Sequence, residues 1–281
     1  MPELPEVETI ARGLHQRVAG DMIQSVWLGE KPEPLKSPPA EIVSVLERSR
    51  IVQVRRIGKH IVFDLTQPRR GKSSAERRGQ WIVHLGMTGR MLVATPEAEI
   101  ARHTHAIVKL ASGRELRFVD PRRFGRLAVT RSEDASPDGF SAPGDEPLSS
   151  QADRFVELFR GRKTPIKSAL LNQSLLSGVG NIYADESLFR AGIRPRRRAA
   201  SLTRVQLTTL HQRVQEVLRE AIALGGSSVN DYVDADGEEG FFQLQHRVYG
   251  REGKRCLVCQ TPVKRIVIAG RSSHYCSHCQ K

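Results

Sequence analysis

Four cysteines lie within the last 26 residues of this 281-residue chain, as Cys256-x2-Cys259 and Cys276-x2-Cys279 with sixteen residues between the pairs. Each pair can chelate through a tight turn. Four thiolates in a tetrahedron suit one structural Zn²⁺, with no coordination position left open for catalysis. The alternatives are two disulfides or four free thiols. His274 and His278 stand beside the cysteines and are surplus to a four-thiolate set. The segment between the pairs, TPVKRIVIAGRSSHY, holds a β-rich run followed by Ala269-Gly270, which predicts a β-hairpin. It carries Lys264, Arg265 and Arg271, either as a solvated basic face or as donors to phosphates.

A second stretch with chemical potential reads QSLLSGVGNIYADESLF. Its Ser-Gly-Val-Gly run lets backbone N–H groups approach an anion, and Asn181 and the following helix start add donors and dipole. A glycine-rich connection of this kind also serves as an ordinary turn. The third stretch is the start of the chain, MPELPEVET. Pro5 suits the first turn of a helix, and Glu3, Glu6 and Glu8 favour its positive end by about 0.3–1 kcal/mol each. That account leaves the proline at position 2 without a purpose.

The elements that must hold these residues follow from the apolar spacing. Val7, Ile10, Ala11, Leu14 and Val18 recur at helical intervals, with Gly20 as the stop. A Pro-rich connector around 31–39 leads to a short helical pattern over Ile42–Leu46. The period then changes to that of strands in RIVQVRRIGKHIVFDL, QWIVHLGMTGRMLVA, HAIVKLASGRELRFVD and GRLAVT, with Ser112-Gly113 as a hairpin turn. Short antiparallel strands of this kind predict a β-sandwich. The basic loop QPRRGKSSAERRGQ interrupts them, with five Arg/Lys residues available for nonspecific phosphate contacts.

Residues 131–150 read as a linker, and helices follow. Phe155, Leu158 and Phe159 mark one. Thr164 as N-cap with Pro165 at the first helical position starts a second, and Asn181 caps a third that runs to Ala191. A fourth spans about Thr203 to Leu224, before Gly225-Gly226 and a polar loop from Ser227 to Gly240. The expected class is α+β. An N-terminal sandwich with flanking helices occupies 1–131, a linker 132–150, a helical domain 151–240 and the cysteine finger 241–281.

The net charge is +13, from 44 Lys+Arg against 31 Asp+Glu, and the sequence pI is about 10.1. A field of this sign favours polyanions, nucleic acid first. No apolar run reaches the ~20 residues of a membrane span. The acidic start is unlike a signal peptide, so a cytoplasmic location is expected.

MPELPEVET, HLGMTG, DPRRFG, SGVGNIYADE and the double CxxC finger stand here in the order found in the formamidopyrimidine-DNA glycosylases. Over essentially its whole length the chain resembles that family of bacterial base-excision repair enzymes. The resemblance implies a helix–two-turn–helix motif at SGVGN, a zinc finger that completes DNA binding, and a monomer acting in the nucleoid on double-stranded DNA with an oxidised base or abasic site. It also gives the start of the chain a chemistry. Once Met1 is removed, Pro2 carries a secondary α-amine with a reference pKa of about 7.7–8.0, able to attack a sugar C1′ and form an iminium.

By the same resemblance Glu3 is the general acid–base group and Glu6 supports the site. Lys59 contacts the lesion and its phosphate, and Arg271 on the finger grips phosphates and assists a second elimination. Met87, Arg122 and Phe124 fill the space left by an everted base, which costs a few kcal/mol to unstack. His103, Arg162 and Asn181 contact DNA, and the loop 227–242 closes over the base. Two positions depart from the family pattern. His60 stands where Tyr or Phe is expected, and Arg162 replaces a common lysine with a different donor geometry. The implied substrates are oxidised purines, 8-oxoguanine opposite cytosine and formamidopyrimidines. The alternatives are an endonuclease VIII-type enzyme for oxidised pyrimidines and a non-catalytic zinc-finger DNA-binding protein on the same scaffold.

Overall fold

The computed structural model describes residues 1–68, 77–131, 139–228, 235, 238 and 240–281. Contacts gather the chain into two units, Met1–Ser141 with Gly225–Gly240, and Ala142–Leu224 with Phe241–Lys281. This grouping differs from the sequence boundaries. Residues 225–240 join the N-terminal unit, residues 142–150 join the C-terminal one, and the finger shares a unit with the helices. Parts of three segments singled out in the sequence lie outside the described residues: 69–76 of the basic loop, 132–138 of the linker, and most of 229–239.

In the first unit, α1 (Leu4–Val18) has Pro5 in its first turn and a capping box between Glu3 and Glu6. It buries Leu4, Val7, Ile10, Ala11, Leu14 and Val18, as the apolar spacing predicts. Two four-stranded antiparallel sheets follow, with β1 (Ile23–Leu28) and α2 (Pro39–Leu46) completing the entry to them. One sheet has the order β2-β3-β4-β8, formed by Arg50–Ile57, His60–Gln67, Arg77–His84 and Arg126–Arg131. The other has the order β1-β6-β7-β5, with β5 Arg90–Ala94, β6 Thr104–Leu110 and β7 Glu115–Val119. Their apolar faces share one core with α1 and α2, including Ile10, Leu14, Phe63, Trp81, Val108 and Phe118. Phe63 and Trp81 stack with ring centres 4.7 Å apart.

β1 has no counterpart in the sequence reading. A register shift between Ile23 and Ser25 breaks its alternation, and of its residues only Ile23 is buried. The basic loop is also shorter than its composition suggests, because β3 continues through Gln67 and β4 begins at Arg77.

The second unit holds α3 (Ala152–Phe159), α4 (Ile166–Leu170), α5 (Asn181–Arg190) and α6 (Arg204–Ala223), then the hairpin β9 (Lys264–Ile268) and β10 (Arg271–Tyr275). Thr203 caps α6 by accepting from the Gln206 amide, with Gln206 returning the bond. Two caps are corrected. Pro165, rather than Thr164, is the N-cap of α4, because an isolated bridge to Arg198 holds Pro165 extended at ψ 139°. Gly180, rather than Asn181, caps α5, and Asn181 is the first helical residue. The end of the expected linker is tied in as well, since Asp145 bridges Leu176 and pairs with Arg154 at 2.7 Å.

Candidate functional site

The N-terminal tip is buried apart from Met1, which is 46% exposed. Pro2 is enclosed, and Glu3 and Glu6 are 5% and 2% exposed. Glu6 is the anchor. Its Oε2 accepts from the Glu3 amide at 2.8 Å, and its Oε1 accepts from the Ser227 amide at 2.8 Å. A Cβ on Gly226 would sit 3.0 Å from Glu6 Cγ and Oε1, and Gly226 has φ +85°, so this approach requires glycine.

Two residues further along α1, Glu8 accepts from Arg12 Nε at 2.7 Å and from Arg56 Nε at 2.8 Å. Arg56 also donates to the carbonyl of Gly58 at 3.1 Å. Gly58 and Lys59 form the two-residue turn between β2 and β3, with Ile57 paired to His60 and Gly58 at φ +59°. A chain of charge-assisted bonds therefore fixes the Lys59 turn to α1, and Lys59 itself is 9% exposed.

Behind that turn, His60 packs at 4.9 Å from both the His84 and Phe140 rings. Burial lowers the basicity of both imidazoles, taking His84 down to about 4, and the neighbouring charges of His60, Arg126 and Lys59 act in the same direction. His84 Nδ1 accepts from the Gly86 amide at 3.0 Å, which holds the ring neutral and starts the HLGMTG loop.

That loop and DPRRFG meet on one carboxylate. Asp120, fully buried, accepts from Thr88 Oγ1 at 2.6 Å and from the amides of Gly125 at 2.7 Å and Arg122 at 3.2 Å. Its carbonyl accepts from His105 Nε2 at 2.9 Å if that nitrogen carries the proton, and its amide donates to His103 O at 3.0 Å. A Cβ on Gly86 would stand 2.5 Å from the Phe124 carbonyl carbon, so the two loops touch backbone to backbone. The result is a group of exposed residues on a rigid base. Met87 and Phe124 are 42% and 52% exposed, and the Arg122 guanidinium lies 4.7 Å above the Phe124 ring. His103 is exposed at φ +70°, and its carbonyl accepts from the Asp120 amide.

In the helical unit, Gln173 shapes the glycine-rich turn. Its amide nitrogen donates to the carbonyls of Leu171 and Val179, and its Oε1 accepts from the Gly178 amide at 2.9 Å. Asn181 Nδ2 then reaches Ser272 Oγ on β10 at 3.2 Å, next to the exposed Arg271. Arg162 is exposed in the turn before α4, where its Nε donates to the Leu158 carbonyl.

α5 fastens the finger through two adjacent buried carboxylates. Asp185 pairs with Lys167 of α4 at 2.7 Å and accepts from the His274 amide at 2.8 Å, and Lys167 also donates to Ser272 O at 2.6 Å. Glu186 accepts from the amides of Arg247, Val248 and Tyr249 at 2.8–2.9 Å, while burial raises its pKa.

The four cysteine sulfurs lie within 4.8 Å of one another, with Cys256–Cys279 at 3.9 Å and Cys259–Cys276 at 3.4 Å. Thiolates at about 2.3 Å from a tetrahedral zinc stand about 3.8 Å apart, so the donor set fits one structural Zn²⁺. Donation from Thr261 pulls the Cys259 thiol down to about 6, whereas burial raises the thiols of Cys276 and Cys279. His274 Nδ1 lies against Asp185 at 3.2 Å, outside the sulfur cluster. Gln280, fully buried, accepts from the Cys276 amide and donates to Ile193 O, both at 2.8 Å, which locks the second CxxC turn to the helices.

Residues 1–127 match the formamidopyrimidine-DNA glycosylase N-terminal domain, 144–233 the helix–two-turn–helix domain of the same enzymes, and 253–281 the zinc finger found in them and in IleRS. The chain is 42% identical to the formamidopyrimidine-DNA glycosylases of Gluconobacter oxydans and Solibacter usitatus, with 100% of both chains covered in each case. It belongs to the formamidopyrimidine-DNA glycosylase family.

Solved structures of the Lactococcus lactis Fpg are similar throughout. A complex with abasic-site DNA has a TM-score of 0.86 at 31% identity, with 99% of both chains covered. Complexes with DNA containing N7-benzyl-Fapy-dG and with DNA containing an oxidised pyrimidine have TM-scores of 0.86 and 0.85 at 31% identity, with 100% of both chains covered. Of the residues singled out by sequence in this family member, Pro2, Glu3, Glu6 and Lys59 are buried in the first unit around the start of α1 and the turn tied to it. Met87, Arg122 and Phe124 cluster over Asp120, and Asn181 and Arg271 flank Ser272 in the second unit. The sequence reading missed Asp120, Lys167, Asp185 and Glu186, which position these groups. The signal of the three carboxylates was present inside DPRRFG and IYADE, whereas Lys167 stands in TPIKSAL as a lone cation beside apolar residues.

Proposed function

We propose that this protein is a bifunctional DNA glycosylase and AP lyase that excises oxidised purines, 8-oxoguanine opposite cytosine and formamidopyrimidines, and cleaves the strand by β,δ-elimination. The observation that carries the reading is the enclosed N-terminal tip. Glu3, next to the enclosed Pro2, is held by Glu6, and the Lys59 turn is joined to the same helix through Glu8 and Arg56.

After loss of Met1, the Pro2 nitrogen attacks C1′ as the glycosidic bond breaks and the base leaves with a proton. The nitrogen loses its proton and the C1′–O4′ bond opens with a proton delivered to O4′, which gives the iminium of a secondary amine, whose fixed positive charge acidifies the C2′ hydrogen. Loss of that proton expels the 3′ phosphate, and a second elimination expels the 5′ phosphate. Glu3 exchanges protons at the sugar, and Glu6 orients Glu3. Lys59 and Arg271 neutralise the departing phosphates. Met87, Arg122 and Phe124 occupy the stack vacated by the everted base, with His103, Arg162 and Asn181 on neighbouring phosphates. The zinc, held by Cys256, Cys259, Cys276 and Cys279, keeps the finger folded. In this scheme 1–131 is the catalytic domain and 151–281 supplies the remaining DNA contacts, and the enzyme acts as a monomer at the bacterial nucleoid.

Excision from matched duplexes containing 8-oxoguanine opposite cytosine, a formamidopyrimidine or thymine glycol tests the substrate assignment. Faster release of the two purine lesions is expected. A strong preference for thymine glycol would move the assignment to oxidised pyrimidines, a reading favoured by the relative crystallised with an oxidised pyrimidine.

A further inference from the structure

The basic stretch between β3 and β4 has no part in the chemistry above, yet its described flanks line a cavity of about 160 Å³. Ser44 of α2, Gln67 of β3, Arg77 and Arg78 of β4 and Arg131 of β8 surround it. Gly79 makes the space. It pairs with Arg131 across the β4–β8 ladder, and a Cβ there would meet Val45 Cγ1 at 3.1 Å and Thr130 O at 3.2 Å. With no side chain at that position, a hollow opens beside the facing arginine.

Charge sets this hollow apart. Its lining residues include three arginines and no acidic residue, and Arg77 and Arg131 share the face of the sheet to which Gly79 belongs. Several arginines of the same unit are matched, Arg55 with Asp64, Arg56 with Glu8, Arg117 with Glu115 and Arg123 with Glu33, while Arg50 and Arg114 donate to neutral oxygens. Here Arg131 donates to a neutral acceptor, Ser44 Oγ, at 2.6 Å. Among the described residues neither Arg77 nor Arg78 has an ion-pair partner. Like charges beside one hollow repel, and an anion between them removes that repulsion. The volume equals several waters at about 30 Å³ each, room for a phosphate group, and guanidinium forks match phosphate oxygens bidentately.

The hollow is also remote from the catalytic tip. β4 runs from Arg77, paired with Gln67, to His84, paired with His60 beside Lys59. At about 3.3 Å per residue the two ends are about 23 Å apart.

We propose that the hollow lined by Arg77, Arg78, Arg131 and Ser44 is a second phosphate-binding site, at the end of the sheet opposite Lys59. It takes a phosphate group of nucleotide or nucleic-acid chemistry. The proposal stands on the cavity and its charges and does not depend on the glycosylase reading.

Calorimetric titration of the full-length, zinc-loaded protein with inorganic pyrophosphate tests it, alongside anisotropy of a long lesion-free duplex. Two variants are compared with the parent. R77Q/R78Q/R131Q removes the charge, and S44E keeps all three arginines while placing a carboxylate in the hollow. Neither touches the proposed catalytic groups, so unchanged strand cleavage of a short lesion duplex certifies the fold of each. Pyrophosphate affinity is expected to fall about tenfold or more in both variants, the loss set by charge-assisted hydrogen bonds. If duplex phosphates are the natural source, the triple variant also loses duplex affinity, and its salt slope shrinks by about two to three. If a free phosphate compound is the source, duplex affinity and slope stay at parent values while the pyrophosphate loss remains. Pyrophosphate affinity equal to the parent's in both variants, or no pyrophosphate binding to the parent, overturns the proposal.

Discussion

The Glu6 carboxylate accepts from the Ser227 amide at 2.8 Å across a sequence separation of 221 residues. Its second oxygen holds the Glu3 amide at 2.8 Å, so one side chain joins the start of the chain to the segment that follows α6. Gly226 lets the two approach, at φ +85° with no Cβ to meet Glu6. Gly226→Ala is expected to cost about 1 kcal/mol or more in urea unfolding, from backbone strain alone. It should also slow single-turnover excision about tenfold as Glu6 is displaced. A variant that excises at the parent rate would separate this contact from catalysis.

Asp120 predicts a different failure. In Asp120→Asn one carboxylate oxygen becomes an NH2 donor facing other donors, at a cost of about 1–3 kcal/mol. Both loops should loosen, and with them Met87, Arg122 and Phe124. Base eversion, followed by 2-aminopurine fluorescence, should slow, while cleavage of a duplex that already contains an abasic site changes little. Equal losses on both substrates would place Asp120 in general stability rather than in the wedge.

The Lys167–Asp185 pair is buried on both sides, at 1% and 0% side-chain exposure. Lys167→Met leaves a buried carboxylate uncompensated and is expected to cost about 3–5 kcal/mol in urea unfolding. Lys167→Met/Asp185→Leu should recover part of that loss. The recovery is incomplete because the His274 amide loses its acceptor. A double variant no better than the single one would contradict a charge-based origin.

The neutral histidines set the response to acid. His84 is held near 4 in the fold against about 6.5 unfolded, and His246 in the second unit is similarly held near 4, both chiefly by burial. Between these values the unfolded chain binds more protons than the folded one. The stability due to the neutral ring is therefore complete above about pH 6.5 and is lost as pH falls toward about 4. Each ring contributes up to about 3 kcal/mol across that window. His84→Gln should flatten the dependence of unfolding free energy on pH by up to about 1.4 kcal/mol per unit between pH 6.5 and 4. A slope equal to the parent's would contradict this reading of His84.

The parts of the fold legible in the sequence are those written in short-range spacing. The α1 stripe from Val7 to Val18, the β-branched and aromatic run Ile61–Phe63 and the paired CxxC turns each depend on residues a few positions apart. β1 was illegible because its register shift breaks the period. The cap at Pro165 moved because a bridge to Arg198, invisible locally, sets its ψ. The partners of the positioning carboxylates were hidden for the same reason. Asp120 answers to Thr88, Asp185 to His274 and Glu6 to Ser227, and only the fold brings each pair together. The residues proposed to do chemistry and the carboxylates that hold them lie in contiguous motifs, whereas the partners of those carboxylates are scattered.

The central claim concerns the Pro2 nitrogen, and borohydride trapping reads it directly. Protein lacking Met1 is incubated with an 8-oxoguanine or abasic duplex and reduced, and the adduct is mapped by mass spectrometry of the N-terminal peptide. A covalent adduct at Pro2 is predicted, absent when Met1 is retained and absent in Pro2→Gly. Failure to trap any adduct on either duplex, or an adduct mapped to Lys59 instead, would contradict the account.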